Sequence, residues 1–260
     1  MAQGKNTGTD LAPPVRRFGP LRILEHWMVM ITFTVLIVTG LSERYHSLDI
    51  SQWLIFHLGG IDGIRLIHRD TGTLFSIMIL VHLLAGLYGV LLKRWQPSMI
   101  IRKKDFHDAI HNIRYYLGME ARPAVCDRYN YKQKFEYWSI ISGGILMALT
   151  GFILWFPTVA VRFLPGEFIP AAKVMHTSHA LVILCIIAVW HVYNSIFSPD
   201  VHPMDTSIFT GYISRRRMVQ EHPIELAGIE GRPVEDLVVE ADQHRAGEAE
   251  APGRAEADMA

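Results

Sequence analysis

The chain has 260 residues, half of them hydrophobic and only 19% charged, with a mean hydropathy of +0.20. That composition excludes an ordinary soluble domain and the length excludes a large transporter, which leaves one integral membrane domain with polar flanks. Basic and acidic residues number 25 each, but the zero formal net charge conceals an uneven distribution along the chain.

Residues 1–22 form a polar leader containing Pro13, Pro14, Arg16 and Arg17, with no apolar run before Ile23. No small-residue cleavage pattern follows that run, so the first hydrophobic segment is expected to remain as a membrane span. A hydrocarbon core of about 30 Å takes roughly 20 helical residues to cross. Four stretches meet that length, at about 24–41, 71–92, 137–156 and 178–197, and the backbone's need to satisfy itself in lipid makes them helices. Trp27, Trp95, Trp138, Trp155 and Trp190 stand at or near the span ends, where aromatic side chains favour the interface. Between the first two spans, Ser51–Leu58 reads as a short amphipathic helix on the membrane face. The connection from Lys93 to Lys134 carries ten Lys/Arg and four acids and holds a weakly amphipathic stretch at Ala109–Leu117. The loops Ser42–Arg69 and Pro157–Met175 carry three and two basic residues. The positive-inside rule therefore places both termini and the 93–134 connection in the cytoplasm.

After span four, residues 199–230 form a cytoplasmic segment, and residues 231–260, rich in Glu, Ala, Gly and Pro, read as a disordered tail. No internal repeat and no nucleotide-binding glycine loop stand out. The expected fold is all-α, an integral membrane four-helix bundle occupying residues 23–198. Cys126 and Cys185 form no C-x-x-C pair, so zinc, iron–sulfur and covalent haem attachment signatures are missing.

Histidine is costly in hydrocarbon unless partnered, so its placement is informative. His68 and His82 lie 14 residues apart on span two, and His176 and His191 lie 15 apart on span four. Fourteen helical steps rise ~21 Å and return to within ~40° of the starting face; fifteen rise ~22 Å and return to within ~60°. Each helix thus offers two histidines at two depths, the double ladder that two bis-imidazole haems need. Gly72, Gly86, Ala180 and Ser195 stand four residues after these histidines, on the same face, where small side chains leave room for a macrocycle. Small residues also serve simply to let membrane helices approach. His179 competes with His176 at the outer level, although its offset of ~120° from His191 fits a shared face less well. At the inner level His26, His82 and His191 share a depth. Spacing on two helices favours His82 with His191, and His26 stays open as an interfacial residue or a ligand.

Several stretches taken together resemble one family: EHW at His26, IHRDTG at His68, YNYKQKFEYW from Tyr129, TGFILWFP from Thr150 and VWHVY around His191. In order and spacing they are similar to the cytochrome b membrane subunits of formate dehydrogenases, nickel–iron hydrogenases and thiosulfate reductases, over about residues 16–215. The resemblance implies two haem b groups, an outer one held by His68 and His176 and an inner one by His26 and His191. It thereby selects His26 where helix spacing selected His82, leaving His82 as the alternative inner ligand or as the lining of a quinone pocket. It also implies a menaquinone or ubiquinone near the inner haem, with Asn130 and Gln133 as hydrogen-bonding residues. Read without the resemblance, these two are ordinary helix-entry residues. SPDVHPMD after span four suggests an iron–sulfur or multihaem cytochrome c partner.

The expected function is electron transfer between the quinone pool and a redox partner, in a multi-pass protein of the bacterial inner membrane. A bis-imidazole haem keeps no open coordination position, so substrate catalysis would belong to the partner. Two other classes compete: a self-contained b561-type transmembrane carrier, and a cofactor-free transporter or scaffold with proton-relaying histidines. The paired 14 and 15 spacings argue against the last.

Overall fold

The computed structural model describes residues 12–198, 201 and 204–257. The first half of the expected leader, part of the SPDVHPMD stretch and the last three tail residues lie outside that range. Two compact units emerge, one of residues 1–19, 98–135 and 206–260, the other of residues 20–97 and 136–205.

The second unit contains the membrane helices. Helix α1 runs from Pro20 to Arg44, α3 from Gly60 to Leu91, α5 from Tyr131 to Trp155, and α7 from Phe168 to Cys185. The last continues to Phe197 through wide π-type turns at Ile186–His191 and Tyr193–Phe197. All four are long and apolar enough to cross a membrane. They extend past the expected hydrophobic limits because helical hydrogen bonding persists into the interface, where polar ends such as Pro20–Arg22 and Gly60–Asp70 are tolerated. Large apolar side chains, among them Leu66, Leu80, Val81, Leu149 and Val182, point outward. That is the pattern of a bundle whose solvent is lipid, where helices associate through packing and polar contacts rather than hydrophobic exclusion.

Helix α2 (Asp49–His57) packs against α1 and α3, close to the expected amphipathic stretch. It turns into α3 through Gly59 and Gly60, both in the left-handed region at φ 87° and 78°, where a side chain would be strained. Helix α3 packs along α1, and α1 also meets α7. Helix α5 meets α3 where Gly144 faces Phe75 and Ile79, and meets α7 where Gly143 faces His179 and Ile183. Each span thus touches its chain neighbours, and α1 against α7 closes the ring. A short α6 (Pro157–Ala160) lies in the connection to α7.

The first unit holds α4 (Lys103–Tyr116), a two-stranded antiparallel ladder of β1 (Val15–Arg16) with β2 (Tyr212–Ile213), and the helices after α7. These are α8 (Ser207–Thr210), α9 (Arg215–Glu221), α10 (Pro223–Glu230) and α11 (Val234–Ala257). Its core is Ile213, Met218, Val219, Leu226, Ala227, Leu237 and Ala241. Arg17 is buried and bonds Glu225 at 2.6 Å, Arg128 reaches the same carboxylate at 2.5 Å, and Lys134 bonds Asp105 at 2.8 and 3.0 Å.

The tail differs from expectation. Where composition pointed to disorder from residue 231, α11 is helical, and Leu237 and Ala241 are buried in the core with Val234 packed on them. Those three residues fall at i, i+3 and i+7, an apolar stripe that average composition conceals. Arg215 ties the tail down by pairing with Glu230 and Glu240, and Arg232 bonds both carboxylates as well. The hydrogen bonds from Arg215 hold both carboxyls below the ordinary glutamate range, against the opposing effect of burial. A depressed carboxyl binds protons more weakly folded than unfolded, so its stabilisation is complete above about pH 5 and is lost as pH falls through about 4.3 and below. Partly exposed pairs contribute roughly 0.2–1 kcal/mol each. Amide exchange across 234–246, corrected for its intrinsic pH dependence, is expected to lose several-fold protection between pH 7 and 4. Constant protection would contradict the assignment.

Candidate haem centres in the membrane helices

Four of the histidines singled out above come together as two facing pairs. His68 on α3 and His176 on α7 have ring centres 6.2 Å apart at an interplanar angle of 71°. His26 on α1 and His191 on α7 have ring centres 6.3 Å apart at 44°. Two imidazoles on opposite sides of one metal ion, with bonds of about 2.0–2.1 Å and ring centres ~1.1 Å beyond the nitrogens, would stand about 6.3 Å apart. Both gaps therefore fit an iron with two axial imidazoles.

The tautomers agree with that fit. Thr39 Oγ1 donates to Val35 O at 2.7 Å and lies 2.8 Å from His68 Nδ1. Its single proton is spent on the backbone, so it accepts from Nδ1–H and leaves His68 Nε2 as the lone-pair nitrogen. Thr150 repeats the arrangement, donating to Leu146 O at 2.7 Å and lying 2.9 Å from His176 Nδ1. Gly40 and Gly151 follow these threonines, and a Cβ on either would approach the Cε1 of the same histidine to 3.2 Å. Each histidine is thus held by a Thr-Gly pair on a neighbouring helix. In the other pair His191 Nδ1 bonds the Glu136 carboxylate on α5. Hydrogen bonds of this kind fix ligand orientation in metal sites.

The ladder pairing of His82 with His191 is not what forms. His82 Nε2 lies 2.9 Å from Tyr137 Oη on α5, and its Nδ1 faces Arg22 at 3.3 Å and Glu25 at 3.6 Å on α1. Spacing sets how far apart two histidines lie along a helix, but not which way each one faces. A π turn takes up one residue more than an α turn, so the 15-residue interval on α7 is phased like the 14-residue interval on α3, about 40° short of full turns. The shortfall has the same hand on both helices. It swings the second histidine of each away from the other, His82 toward α5 and His191 toward α1.

His179 does not meet His68. Its Nε2 is buried against α5, 3.0 Å from where a Cβ of Gly143 would stand. The small residues at i+4 also prove less telling than the Thr-Gly pairs: Gly72 faces Leu36, and Gly86 faces open space. Asn130 and Gln133 cap the start of α5 reciprocally, with Asn130 Oδ1 accepting from the Gln133 amide at 2.9 Å and Gln133 Oε1 from the Asn130 amide at 3.1 Å.

A repeat overlooked in the linear reading becomes visible through these contacts. Glu25-His26-Trp27 is followed by Thr39-Gly40, and Glu136-Tyr137-Trp138 is followed at the same interval by Thr150-Gly151. Glu25 faces His82 on the next span as Glu136 faces His191, and Thr39 holds His68 as Thr150 holds His176. The bundle is two copies of a helix pair, α1–α3 and α5–α7. The signal is present in the sequence, but two short motifs with a whole span between them carry little weight without the contacts that equate them.

Residues 17–211 match the model of the family described as prokaryotic cytochrome b561. The nitrate-inducible formate dehydrogenase cytochrome b556 subunit of Escherichia coli K12 is 27% identical over 198 residues, covering 76% of this chain and 83% of that one. The cytochrome b556(fdo) subunit of the same strain is 26% identical over 211 residues, covering 80% and 90%. A probable Ni/Fe-hydrogenase 1 B-type cytochrome subunit from that strain is 27% identical over 142 residues, covering 52% and 57%. With four membrane-spanning helices and a match over three quarters of its length, the chain belongs to the prokaryotic cytochrome b561 family, as a multi-pass electron-transfer cytochrome that carries haem b.

Proposed function

We propose that the chain carries two haem b groups, one between His68 and His176 and one between His26 and His191, and connects a quinone pool to a redox partner subunit. The observation that carries this reading is the pair of facing imidazoles at two levels, each at the separation a shared iron requires. When bound between such imidazoles, a haem would supply one-electron transfer. The protein's part is to orient the imidazoles: Thr39 holds His68 and Thr150 holds His176 at one level, and Glu136 holds His191 at the other. The positive-inside asymmetry supports a cytoplasmic location for both termini, with the His26–His191 level on the inner side of the bacterial inner membrane and the His68–His176 level on the outer. Menaquinone or ubiquinone is the proposed lipid-soluble substrate, with the amides of Asn130 and Gln133 as donors by family resemblance. The named relatives belong to formate dehydrogenase and hydrogenase, and a partner bearing iron–sulfur clusters or multiple c-type haems is proposed for this chain.

A pyridine haemochrome assay on purified protein is expected to give two haem b per chain. One haem per chain would remove one level, and none would end the haem reading.

A further inference from the structure

The repeat leaves one position with no assigned role. His26 and His191 form a facing pair between α1 and α7, and the corresponding pair between α5 and α3 is Tyr137 and His82. Where the first pair leaves a metal-sized gap, the second is closed: His82 Nε2 and Tyr137 Oη are 2.9 Å apart, within direct hydrogen-bond distance. An iron between nitrogen and oxygen would need roughly 4 Å. Tyrosine thus stands in one copy of the repeat where the other has histidine, and two groups that exchange protons are hydrogen-bonded where the other copy leaves a gap.

Three observations say what meets this pair. It lies on membrane-spanning helices yet is not sealed, since the His82 side chain retains 25% of its exposure. Ionisable side chains in that setting are expensive and mark functional paths by default. Next, Gly86 stands one turn along the same face of α3, and a Cβ there would meet nothing within 4 Å, so a flat ring has room beside His82. Finally, the charged groups behind the imidazole lie on α1: Arg22 Nη1 is 3.3 Å from His82 Nδ1, and Arg22 is paired at 2.7 Å with Glu25. Arg22 can only donate, so Nδ1 accepts, Nε2–H donates to Tyr137 Oη, and the tyrosine proton is directed onward. Open space beside a hydrogen-bonded His–Tyr pair, reached from lipid, suits a flat, lipid-soluble molecule whose oxygens gain and lose protons.

We infer that Tyr137 and His82, facing each other between α5 and α3, form the proton-exchange site for the quinone. This inference rests on the proposed quinone function. Reduction of one quinone to quinol takes two electrons, supplied by two ferrous haems that become ferric, and two protons. Tyr137 gives its phenolic proton to one carbonyl oxygen and takes the Nε2 proton of His82 in the same movement. As Nε2 releases its proton, Nδ1 takes one from water at the interface where Arg22 and Glu25 lie, so the ring stays neutral, and the second carbonyl oxygen takes its proton from water. Quinol oxidation runs the same steps backwards.

The test uses the full chain in liposomes, reduced with dithionite and mixed with 2,3-dimethyl-1,4-naphthoquinone while haem oxidation is followed by stopped flow. Tyr137→Phe and His82→Gln are expected to keep both haems and their reduced spectra, and to slow oxidation at least tenfold, the low end for loss of a positioned proton donor. The unmodified chain should slow as pH rises, because the proton entering at Nδ1 comes from the aqueous phase, and His82→Gln should abolish that dependence. Variants that match the unmodified rate would overturn the inference, as would variants that lose a haem, since the pair would then belong to the haem site. If the unmodified chain is not oxidised by the quinone at all, the quinone function itself fails.

Discussion

His26→Ala is expected to empty the inner haem position while the outer one stays filled, and His82→Ala to leave both filled. The contrast follows from where the two side chains point. His26 faces His191 across a gap of iron size, whereas His82 is committed to Tyr137, Arg22 and Glu25. Removing either imidazole leaves half of a facing pair, so His68→Ala and His191→Ala should each remove one haem as well. Haem content per chain in the four variants, with low-temperature absorbance spectra to separate the two centres, makes the comparison. Retention of both haems in His26→Ala, or loss of one in His82→Ala, would reverse the ligand assignment at the inner level.

A second large effect is expected at the threonines. In Thr39→Val the hydroxyl that accepts from His68 Nδ1 is replaced by a methyl group of similar shape, which leaves a buried N–H without an acceptor, at a cost of about 1–3 kcal/mol. Partners of ligating histidines typically contribute 10–100-fold to metal affinity, so the outer haem should be lost that much more readily on dilution or mild detergent treatment. Thr150→Val acts on the opposite ligand of the same haem, and the double variant should approach complete loss. Thr39→Ser, which keeps the hydroxyl, should restore retention. The inner haem serves as the internal control, because its ligand His191 is oriented by Glu136 instead. Equal weakening of both haems by Thr39→Val would show a general packing defect and not a positioning role.

Much of the fold was legible because hydrophobic length and charge asymmetry are additive along a chain. Four spans, the short helix at 49–57 and the two histidine depths all follow from counting residues. What counting does not supply is rotation. His82 and His26 share a depth with His191, and only the phase of α3 and α7 decides which of them faces it. The wide turn at Ile186–His191 leaves no trace in composition, so residue count alone puts the 15-residue interval out of phase with its 14-residue counterpart. Thr39, Gly40, Thr150, Gly151 and Glu136 escaped notice for a different reason. Threonine and glycine are ordinary in membrane helices, and Glu136 sits at the interface, so their roles depend on neighbours far away in sequence. The tail was misjudged by averaging: Val234, Leu237 and Ala241 are few among many polar residues, but their spacing places them on one face.

The wide turns of α7 bear on how such chains can vary in length. Inserting one residue into a straight membrane helix rotates everything beyond it by about 100°, which would carry a ligand from the bundle interior toward lipid. Here the extra residue is absorbed locally between Ile186 and His191, and His191 still meets His26. Helical phase, not residue count, holds a ligand pair of this kind in register. Chains whose two facing histidines on the last span differ by one in separation can therefore share one cofactor geometry, and an alignment that forces equal spacing would misplace a ligand that the fold keeps in register.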